Sequence, residues 1–467
     1  MTWDHRRVCV AGLGVSGAPA ARVLAGLGAS VIALDAVAAP DRDAELADLG
    51  VDVRTGSPVE QLPEGVELVV TSPGWRPDHP LLSAALAAGI EVIGEPELAW
   101  RLQREQWGLR HGPLWLGVTG TNGKTTTTGM LASILQAAGI RSTAAGNIGT
   151  ALVDAVRGEY DVLAVELSSF QLHWSSSLQF HAAAILNIAD DHVDWHGSMD
   201  AYAADKRKIW DDGACAVWNA DDPVTARLAE GLHDSHPYSV HDARAQVRVT
   251  DGWICGGVGP VADAVDGRIA PVDAVALPGE HNLSNALAAV ALATSLNLRQ
   301  DFGITAEQIE QGLRDYQPGA HRNAVVGERA GVVYVDDSKA TNPHAADASL
   351  SAYASVVWVA GGLLKGADVE PLVRAHAHRL RGAVLIGRDK ELIADALARH
   401  APDVPVSVVD ASDTDVMDVA VRAAARLAVA GDVVLLAPAA ASMDQFRDYA
   451  DRGDRFARAV AALAEQS

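Results

Sequence analysis

The chain has 467 residues, of which 49% are hydrophobic and 21% are charged. This length exceeds what one hydrophobic core normally holds, so two or three domains of about 100 to 200 residues each are expected. The 60 acidic and 37 basic residues give a formal net charge of -23 at pH 7. Because no basic stripe offsets this charge, a nucleic-acid partner and an anionic membrane surface are not expected.

The N-terminal residues and the cysteines predict a protein of the cytoplasm. Residues 1–7 lead directly into a short strand-like run, and no stretch of the sequence has the pattern of a signal peptide or a spanning helix. Cys9, Cys215 and Cys255 lie far apart and form no C-x-x-C pair. They are therefore predicted to be buried free thiols in a reducing compartment.

The first hundred residues alternate short β-branched runs with helix-like stretches rich in Ala and Leu. The strand-like runs are residues 8–11, 30–34, 68–71 and 91–93. This alternation predicts a parallel sheet with crossover helices. Polar residues interrupt it over residues 101–113, which we interpret as a linker.

A glycine-rich turn, Gly12-Leu13-Gly14-Val15-Ser16-Gly17, follows the first of these strands, and Asp35 ends the next one. The pattern G-x-G-x-x-G with an acidic residue about twenty positions on is typical of a turn that binds a dinucleotide. The same turn can bind any diphosphate through its backbone amides. NAD is thus one candidate ligand, and a purely structural glycine turn is the alternative.

A second glycine-rich turn, Gly120-Thr121-Asn122-Gly123-Lys124-Thr125-Thr126, follows the apolar run 114–118. A strand, a turn and a helix in this order direct backbone N–H groups outward and are typical of a phosphate site. Lys124 supplies a charge for the outer phosphates, and the Thr125 hydroxyl can hold Mg²⁺. Val118 stands where the usual motif has its first glycine. The alternative is a glycine turn that only caps a helix.

Carboxylates and imidazoles follow two further predicted strands, residues 161–166 and 182–188. Glu166 closes the first of them and, with Thr125, is predicted to form a Mg²⁺ site. Residues 190–196, Asp-Asp-His-Val-Asp-Trp-His, follow the second. No H-E-x-x-H motif or cysteine supports zinc here, so we expect one of the two histidines to lie beside a phosphate-bound Mg²⁺.

The next segments are less regular. Residues 201–210 have a helical pattern, and on the residues alone Lys206 and Lys208 are predicted to form a solvated helix face. Residues 213–275 are rich in Asp and Gly and are interpreted as a β-rich excursion. A helix-like run follows over residues 282–298.

A second boundary is expected at residues 314–323, where Gln317-Pro318-Gly319 breaks the pattern. Beyond it, strand-like runs alternate again with helices and predict a third parallel sheet. These runs are residues 332–336, 356–360, 383–386, 406–409 and 433–437. Lys339 and Lys365 follow two of the strands, in positions suited to anionic oxygens. His321-Arg322 could reach phosphate when the domains close.

Several segments, taken together and in order over nearly the whole chain, resemble the Mur ligase family. They are residues 120–126, 146–149 (Gly-Asn-Ile-Gly), 166–172 (Glu-Leu-Ser-Ser-Phe-Gln-Leu), 191–192, 206, 281–285, 321–322 and 337–342. Residues 166–172 together with 442–446 resemble one branch of that family most. The resemblance implies an α/β fold of three domains. These are an N-terminal Rossmann-like domain for UDP over residues 1–108, a central P-loop ATPase-like parallel sheet with a β-rich excursion over 109–318, and a C-terminal Rossmann-like domain for the amino acid over 319–467.

The resemblance also implies an activity. The expected enzyme is an ATP-dependent amide ligase that adds D-glutamate to UDP-N-acetylmuramoyl-L-alanine through an acyl phosphate, in peptidoglycan precursor synthesis. Its expected cofactors are ATP, two Mg²⁺ ions with Mn²⁺ as an alternative, and a CO₂-derived carbamate on Lys206, which reverses the solvated interpretation of that lysine. A cytoplasmic monomer with small-molecule substrates is expected.

Site residues are implied by the same matches. Catalytic roles fall to Lys124, His192, Lys206 and Lys339. ATP is expected at Gly120, Thr121, Asn122, Gly123, Lys124, Thr125, Thr126, Asn282, Asn285, Arg322 and Asp337. The UDP-linked substrate is expected at Gly14, Val15, Ser16, Asp35, Ser72, Gly74, Asn147, Ser168 and His192. D-glutamate is expected at Thr341, Lys365, Ser442 and Tyr449. The metal ligands are expected to be Thr125, Glu166, His192 and Lys206.

Some positions depart from the family pattern, and other functions stay open. Ala36 and Val37 stand where polar or basic side chains are usual, and Leu363-Leu364 replaces a more polar pair. The alternatives are a sister Mur ligase or a folylpolyglutamate synthetase-like ligase with a different acceptor. Outside the ligases, residues 12–17 leave open an NAD-dependent dehydrogenase or a nucleotide-regulated binding protein.

Overall fold

The computed structural model describes residues 3–108, 112–259, 261, 265–298, 302–409 and 416–463. The chain forms two compact units. The larger unit comprises Met1–Ala274 and Ser284–Tyr316, and the smaller comprises Val275–Leu283 and Gln317–Ser467.

A five-stranded parallel sheet opens the larger unit, in the order β3-β2-β1-β4-β5. Its strands are β1 (Arg7–Ala11), β2 (Ser30–Asp35), β3 (Asp52–Thr55), β4 (Leu68–Thr71) and β5 (Glu91–Gly94). Its helices are α1 (Gly17–Gly26), α2 (Pro40–Asp48), α3 (Pro80–Ala87) and α4 (Glu95–Trp107). The predicted alternation is confirmed, but β3 was not predicted because this edge strand carries no apolar run.

The linker predicted over residues 101–113 is wrong in its first half. Helix α4 continues through Trp107, because Leu98, Ala99 and Leu102 supply a buried apolar stripe that the intervening polar residues obscure in the sequence. Residues 109–111 lie outside the described residues.

A nine-stranded sheet forms the rest of the larger unit, in the order β14-β13-β12-β11-β10-β9-β6-β8-β7. Its strands are β6 (Leu114–Thr119), β7 (Ser142–Gly146), β8 (Val162–Glu166), β9 (Ala182–Ile185), β10 (Cys215–Asn219), β11 (Ser235–Ser239), β12 (Val247–Thr250), β13 (Trp253–Gly256) and β14 (Arg268–Pro271). All pairs are parallel except β12 with β13 and β13 with β14. The predicted β-rich excursion is thus confirmed.

Helices connect these strands and continue beyond them. They are α5 (Lys124–Ala137), α6 (Leu152–Ala155), α7 (Ser169–His173), α8 (Val193–His196), α9 (Met199–Arg207), α10 (Pro223–Leu228), α11 (Glu280–Ser295) and α12 (Ala306–Asp315). Short 3₁₀ helices cover Lys208–Gly213, Val265–Gly267, Val272–Ala274, Leu296–Leu298 and, in the smaller unit, Ala377–Arg379.

The smaller unit contains a six-stranded sheet in the order β15-β16-β20-β17-β18-β19. Its strands are β15 (Ala324–Arg329), β16 (Val332–Asp336), β17 (Val356–Gly361), β18 (Leu380–Ile386), β19 (Val406–Val408) and β20 (Val433–Leu436). Its helices are α13 (Pro343–Ser351), α14 (Glu370–His376), α15 (Lys390–His400), α16 (Val416–Leu427) and α17 (Tyr449–Ala462). Only β15 pairs antiparallel, and this edge strand, which has no fully buried residue, was not predicted.

The cores explain where a ligand can bind. Strands β6 and β8 are buried almost throughout, so polar side chains are confined to the strand ends and the loops that follow. The three cysteines are buried and unpaired, as predicted. Among the described helices, none combines the length and the apolar character needed to cross a bilayer.

Candidate active site

The loop between β6 and α5 is built to receive phosphate. Gly120 and Gly123 have φ angles of 155° and 82°, which favour glycine. A Cβ on Gly123 would collide with the amide oxygen of Asn285. No side chain caps the start of α5, so its first-turn amides and positive dipole end are available to an anion. The loop therefore fits a nucleotide phosphate.

Lys124 lies along the same loop. Its Nζ donates hydrogen bonds to the carbonyl oxygens of Gly120, at 2.9 Å, and Thr121, at 2.8 Å. The charge is thereby held at the mouth of the loop, where the outer phosphates of a nucleotide would need it.

The side chains of Thr125, Asn147 and Glu166 meet next to this loop. The Thr125 hydroxyl donates to Oε2 of Glu166 at 2.7 Å, and Nδ2 of Asn147 donates to Oε1 of the same carboxylate at 2.7 Å. Glu166 is 1% exposed. Because β7 and β8 pair in register, with Gly146 opposite Glu166, their ends bring Asn147 and Glu166 together. A carboxylate and a hydroxyl are ligands that suit Mg²⁺, so the residues present fit that ion.

The Lys206 side chain is buried against the phosphate loop rather than exposed on a solvated helix face. It is 1% exposed, and its Nζ donates to the carbonyl oxygen of Gly120 at 2.8 Å and to Oγ1 of Thr119 at 3.3 Å. Burial, followed by the charge of Lys124, lowers its pKa well below the usual value. The solvated-face interpretation is wrong for Lys206, because helix periodicity alone does not show what covers a face.

The two histidines of residues 190–196 differ in their surroundings. The His196 side chain is fully buried, with Nδ1 3.0 Å from Asp205 and Nε2 2.9 Å from Ser169. His192 has a φ of 55°, and its side chain is 39% exposed. Its ring centre lies 4.7 Å from that of Phe170. Of the two, His192 is therefore the candidate ligand.

Asp205 organises a cluster that the sequence did not indicate. Its carboxylate oxygens lie 2.8 Å from Nδ1 of His173, 3.0 Å from Nδ1 of His196 and 2.9 Å from Nζ of Lys208. Burial opposes its ionisation, but these hydrogen bonds outweigh burial and lower its pKa. The cluster anchors α9 and hence the neighbouring Lys206. Its partners lie in three separate segments, so only the 205–208 spacing could have suggested it.

The N-terminal glycine turn is held by two of the predicted substrate residues. Oδ2 of Asp35 accepts from the Leu13 amide at 2.6 Å, and the Ser72 hydroxyl donates to the carbonyl of Gly12 at 2.8 Å. Ser16 is buried at the start of α1, whereas Val15 is 92% exposed. Asp35 and Ser72 thus shape the turn.

A cleft of about 510 Å³ lies beside this turn. It is lined by Asp35, Ala36, Val59, Gly74, Trp75, Arg76, Asp78, His79 and Pro80. The Trp75 and His79 rings are 4.3 Å apart. A concave site with aromatic walls and a few polar groups suits a small organic ligand. Trp75, Arg76 and His79 were not predicted, although a tryptophan and an arginine in the loop that follows a strand were a visible signal.

Ser168 was predicted to contact the substrate, and the structure gives it a further role. It is the N-cap of α7, where its hydroxyl accepts from the Gln171 amide and the two residues form a capping box. Ser168 is half-buried, and the next residue along, Ser169, contacts His196.

The smaller unit brings together three loops that carry predicted residues. These loops follow β16, β20 and β17, which are adjacent strands. The Ala439 amide donates to the carbonyl of Ala340 at 3.0 Å, and the Leu363 amide donates to that of Ala441 at 2.8 Å. Thr341, Lys365 and Ser442 therefore lie on neighbouring loops. Nζ of Lys339 is 3.8 Å from the centre of the Tyr449 ring.

Arg452 joins these loops and was not predicted. It is fully buried and donates to the hydroxyl and the carbonyl of Ser338, at 2.9 and 2.8 Å, and to the carbonyl of Ala440 at 3.0 Å. Burial lowers its pKa to about 10. An arginine inside an amphipathic helix pattern gives no signal of such a role.

The predicted ATP residues are divided between the units. Asn285 lies against Gly123 in the larger unit. In the smaller unit, Nδ2 of Asn282 donates to the carbonyl of Pro278 at 2.7 Å. Asp337 accepts from the Asn323 amide at 3.1 Å and from the Ser349 hydroxyl. Burial raises its pKa to about 6, and the hydrogen bonds from Ser349 and Asn323, followed by the charge of Arg322, act against that rise.

Comparisons with known proteins bear on this geometry. Sequence profiles match in three places: the Mur ligase MurD-like N-terminal domain at residues 6–94, the Mur ligase middle domain at 118–293, and the Mur ligase glutamate ligase domain at 321–440. The UDP-N-acetylmuramoylalanine--D-glutamate ligase of Streptomyces avermitilis is 52% identical, with 99% of each chain covered. Those of Streptomyces coelicolor and Thermobifida fusca are 53% and 51% identical, with 99% and 98% of this chain and 99% of each relative covered.

This chain belongs to the Mur ligase family. The resemblance is thereby confirmed, together with the three-domain α/β fold, and a dehydrogenase or a nucleotide-regulated binding protein is not supported. Two solved structures share the Mur ligase fold with it at a TM-score of 0.60. The UDP-N-acetylmuramate-alanine ligase of Thermotoga maritima is 19% identical, with 98% of this chain and 99% of that chain covered. The pseudomurein peptide ligase type C of Methanothermus fervidus is 16% identical, with 98% and 100% covered.

Proposed function

We propose that this Mur ligase adds D-glutamate to UDP-N-acetylmuramoyl-L-alanine, with conversion of ATP to ADP and phosphate, in peptidoglycan precursor synthesis. The observation that carries the proposal is full-length identity of 51–53% to three D-glutamate ligases. The phosphate loop with Lys124, Thr125 and Glu166 provides the machinery for ATP that such a reaction needs.

The chemistry starts from a carboxylate, which an amine does not attack at a useful rate because the leaving oxygen is poor. The L-alanyl carboxylate attacks the γ-phosphorus of ATP, forming a C–O–P linkage and releasing ADP. The D-glutamate amine then attacks the acyl carbon, the C–O bond to phosphate breaks, and the amine loses a proton. No side-chain nucleophile is needed, so positioning and charge stabilisation are the main tasks of the protein.

Charge stabilisation falls to residues around the phosphate loop. Lys124 and the amides that begin α5 would face the transferring phosphoryl group. Thr125 and Glu166 would hold one Mg²⁺, and His192 with a carbamate on Lys206 would hold a second, with Mn²⁺ as an alternative. Bound Mg²⁺ supplies positive charge to the phosphoryl oxygens.

The carbamate is supported by the surroundings of Lys206. Carbamylation joins an unprotonated amine to CO₂ and releases one proton, so it requires a lysine that is neutral at working pH. Burial and the nearby Lys124 provide that condition. Burial also disfavours an isolated ammonium. A carbamate anion next to cationic Lys124 and a metal ion would not be an unpaired buried charge.

The other predicted residues complete the proposal. The cleft beside Asp35 and Gly74, with the aromatic rings of Trp75 and His79, is a candidate site for the uracil end of the substrate. Gly14, Val15, Ser16 and Ser72 belong to the adjoining turn, and Asn147, Ser168 and His192 are assigned to the muramoyl end. In the smaller unit, Thr341, Lys365, Ser442 and Tyr449 are assigned to D-glutamate and Lys339 to catalysis. Asn282, Asn285, Arg322 and Asp337 are assigned to ATP.

We further propose a monomeric enzyme of the cytoplasm that uses only small-molecule substrates. The strong negative charge and the buried free thiols support this assignment.

An acceptor panel tests the proposed function. ADP release is measured with UDP-N-acetylmuramoyl-L-alanine and, in turn, D-glutamate, L-glutamate, L-alanine, meso-diaminopimelate and D-alanyl-D-alanine. Release that requires D-glutamate supports the proposal. Release with another acceptor, and none with D-glutamate, would assign the chain to a sister ligase.

A further inference from the structure

A cluster of three metal-binding side chain types lies on the nine-stranded sheet. Among the described residues, Cys215, Asp234 and His236 form one of two groups whose ligand atoms all lie within 4.8 Å of one another. The other group contains Asp205 and belongs to the surroundings of Lys206. The first group has no part in the chemistry proposed above and is argued independently of it.

The strand register places the three side chains on one face. Strands β10 and β11 are parallel, with Ala216 opposite Ser235 and Val217 opposite His236. The Ala216 amide donates to the carbonyl of Asp234 at 2.9 Å, so Cys215 and Asp234 are also paired across the strands. Side chains two residues apart point to the same face. Cys215 and His236 thus share a face, and Asp234 precedes β11 on it.

Both ring nitrogens of His236 face an oxygen atom of a neighbouring side chain. Nδ1 of His236 is 2.7 Å from Oε1 of Gln246. Nε2 of Gln246 donates to the carbonyl of Gly257 at 3.0 Å, which fixes the amide with its oxygen toward the imidazole. Nδ1 therefore carries the proton. Nε2 of His236 faces Oδ1 of Asp234, 2.5 Å away, and the position between them is held either by a second proton of the imidazole or by a cation.

A divalent cation can take the place of the proton between Nε2 and the carboxylate. Metal-bound histidines typically donate their other N–H to an oxygen acceptor, as Nδ1 does here to Gln246. Cys215 is buried, and the Asp234 side chain is 54% exposed, so the site is closed on one side and open to solvent on the other. We propose that Sγ of Cys215, Nε2 of His236 and a carboxylate oxygen of Asp234 bind one zinc-type divalent cation, with water as the fourth ligand.

The donor set selects the class of ion. Thiolate and imidazole prefer Zn²⁺ to Mg²⁺, and three protein ligands with one open position form a known type of zinc site. Zinc–ligand distances of about 2.0–2.3 Å place the ligand atoms about 3–4 Å apart, so small rotations of these side chains suffice. Binding breaks the S–H bond of Cys215, forms the S–Zn bond and releases the proton to water.

Cobalt titration of the full-length chain tests the site. The chelator-treated, reduced protein is titrated with Co²⁺ in excess Mg²⁺, which occupies oxygen-ligand sites. Wild-type protein is expected to bind one equivalent with a thiolate-to-cobalt absorption band, and added Zn²⁺ is expected to abolish the band. Cys255→Ser, which alters another buried strand cysteine, should behave like wild type. Absence of the band in wild type, or its loss in Cys255→Ser, would overturn the proposal.

Four variants separate coordination from folding. Cys215→Ser and His236→Gln should lose the band. Asp234→Asn, at an exposed position, should weaken binding even if the buried variants do not fold. Gln246→Ala should keep the band but lower Co²⁺ affinity by about 10- to 100-fold, as expected for a residue that orients a ligand. ADP release in the acceptor assay reports that each variant is folded. A band that persists in Cys215→Ser, or binding unchanged in Asp234→Asn, would show that this cluster is only a hydrogen-bonded pair beside a thiol.

Discussion

Nζ of Lys206 lies 2.8 Å from the carbonyl oxygen of Gly120, so a buried amine donates a hydrogen bond to the phosphate loop. The amine and the loop belong to elements far apart in sequence, α9 and the turn after β6. Their contact links the ATP site to the lysine that we propose to be carbamylated.

Replacement of Lys206 tests that link. We expect Lys206→Ala to lower the ligase rate by more than about 100-fold, because a ligand for metal and phosphoryl charge is lost. Formate or acetate should restore part of the rate by taking the place of the carbamate. Lys390→Ala, a lysine of α15 outside the proposed site, is the control. Normal rates in Lys206→Ala would refute the carbamate, and a rate that small carboxylates cannot raise would weaken it.

Glu166 provides a test of the metal site with little change of shape. Glu166→Gln keeps the volume and one oxygen acceptor but removes the charge between Thr125 and Asn147. We expect the Mg²⁺ concentration for half-maximal rate to rise by about 10- to 100-fold. Glu230→Gln, at an exposed position, should leave the Mg²⁺ dependence unchanged. An unaltered dependence in Glu166→Gln would exclude this carboxylate as a ligand.

Arg452 should matter for both stability and D-glutamate. Arg452→Met leaves buried oxygens of Ser338 and Ala440 without a donor, and each such group costs about 1–3 kcal/mol. We expect the free energy of unfolding to fall by about 2–4 kcal/mol and the KM for D-glutamate to rise more than that for ATP. Arg458→Met, exposed on the same helix, is the matched control. Equal effects of the two variants would contradict the role assigned to Arg452.

Two glutamates of α4 should respond to pH with opposite signs. Glu95 is buried, its Oε1 accepts from the Val153 amide at 2.8 Å, and its Oε2 has no partner among the described residues. Burial raises its pKa from 4.5 to about 7. Burial also acts on Glu97, but hydrogen bonds from Ser176, Ser177 and Arg101 outweigh it and lower its pKa.

The sign of each effect follows from proton binding. Folded Glu95 keeps a proton that the unfolded chain releases, so this residue costs stability as pH rises from about 4.5 to about 7. The free energy of unfolding of Glu95→Gln, relative to that of wild type, should therefore rise by about 2 kcal/mol as pH increases from about 5 to about 8. Glu97 is stabilising when ionised, and this contribution is lost as pH falls below its unfolded pKa. Glu97→Gln should be less stable than wild type at neutral pH. Denaturant unfolding at several pH values measures both, and parallel profiles for the two variants would contradict the assignment.

Local sequence patterns predicted the features that depend on neighbouring residues. The phosphate loop, the strand ends at Glu166 and Asp336 and most buried strands follow from apolar runs and turn residues. The edge strands β3 and β15 were not predicted, because pairing with a neighbouring strand, rather than their own composition, makes them strands. The domain bounds 1–108, 109–318 and 319–467 and the individual roles of the site residues stay predictions.

Features made by tertiary contacts could not be predicted. Residue patterns alone placed Lys206 in solvent, since the groups that bury it lie elsewhere in the chain. Asp205 with His173 and His196, and Arg452 with Ser338, likewise join segments that only the fold brings together. The family resemblance indicated Lys206 as a site candidate, but it gave no signal for the residues that hold it in place.

Oxygen transfer tests the central claim most directly. UDP-N-acetylmuramoyl-L-alanine labelled with oxygen-18 in its carboxylate is incubated with ATP and D-glutamate, and the released phosphate is analysed by mass spectrometry. An acyl phosphate predicts that each phosphate released carries a single labelled oxygen and that its formation requires D-glutamate. Unlabelled phosphate, or labelled phosphate formed only with another amino acid, would contradict the account.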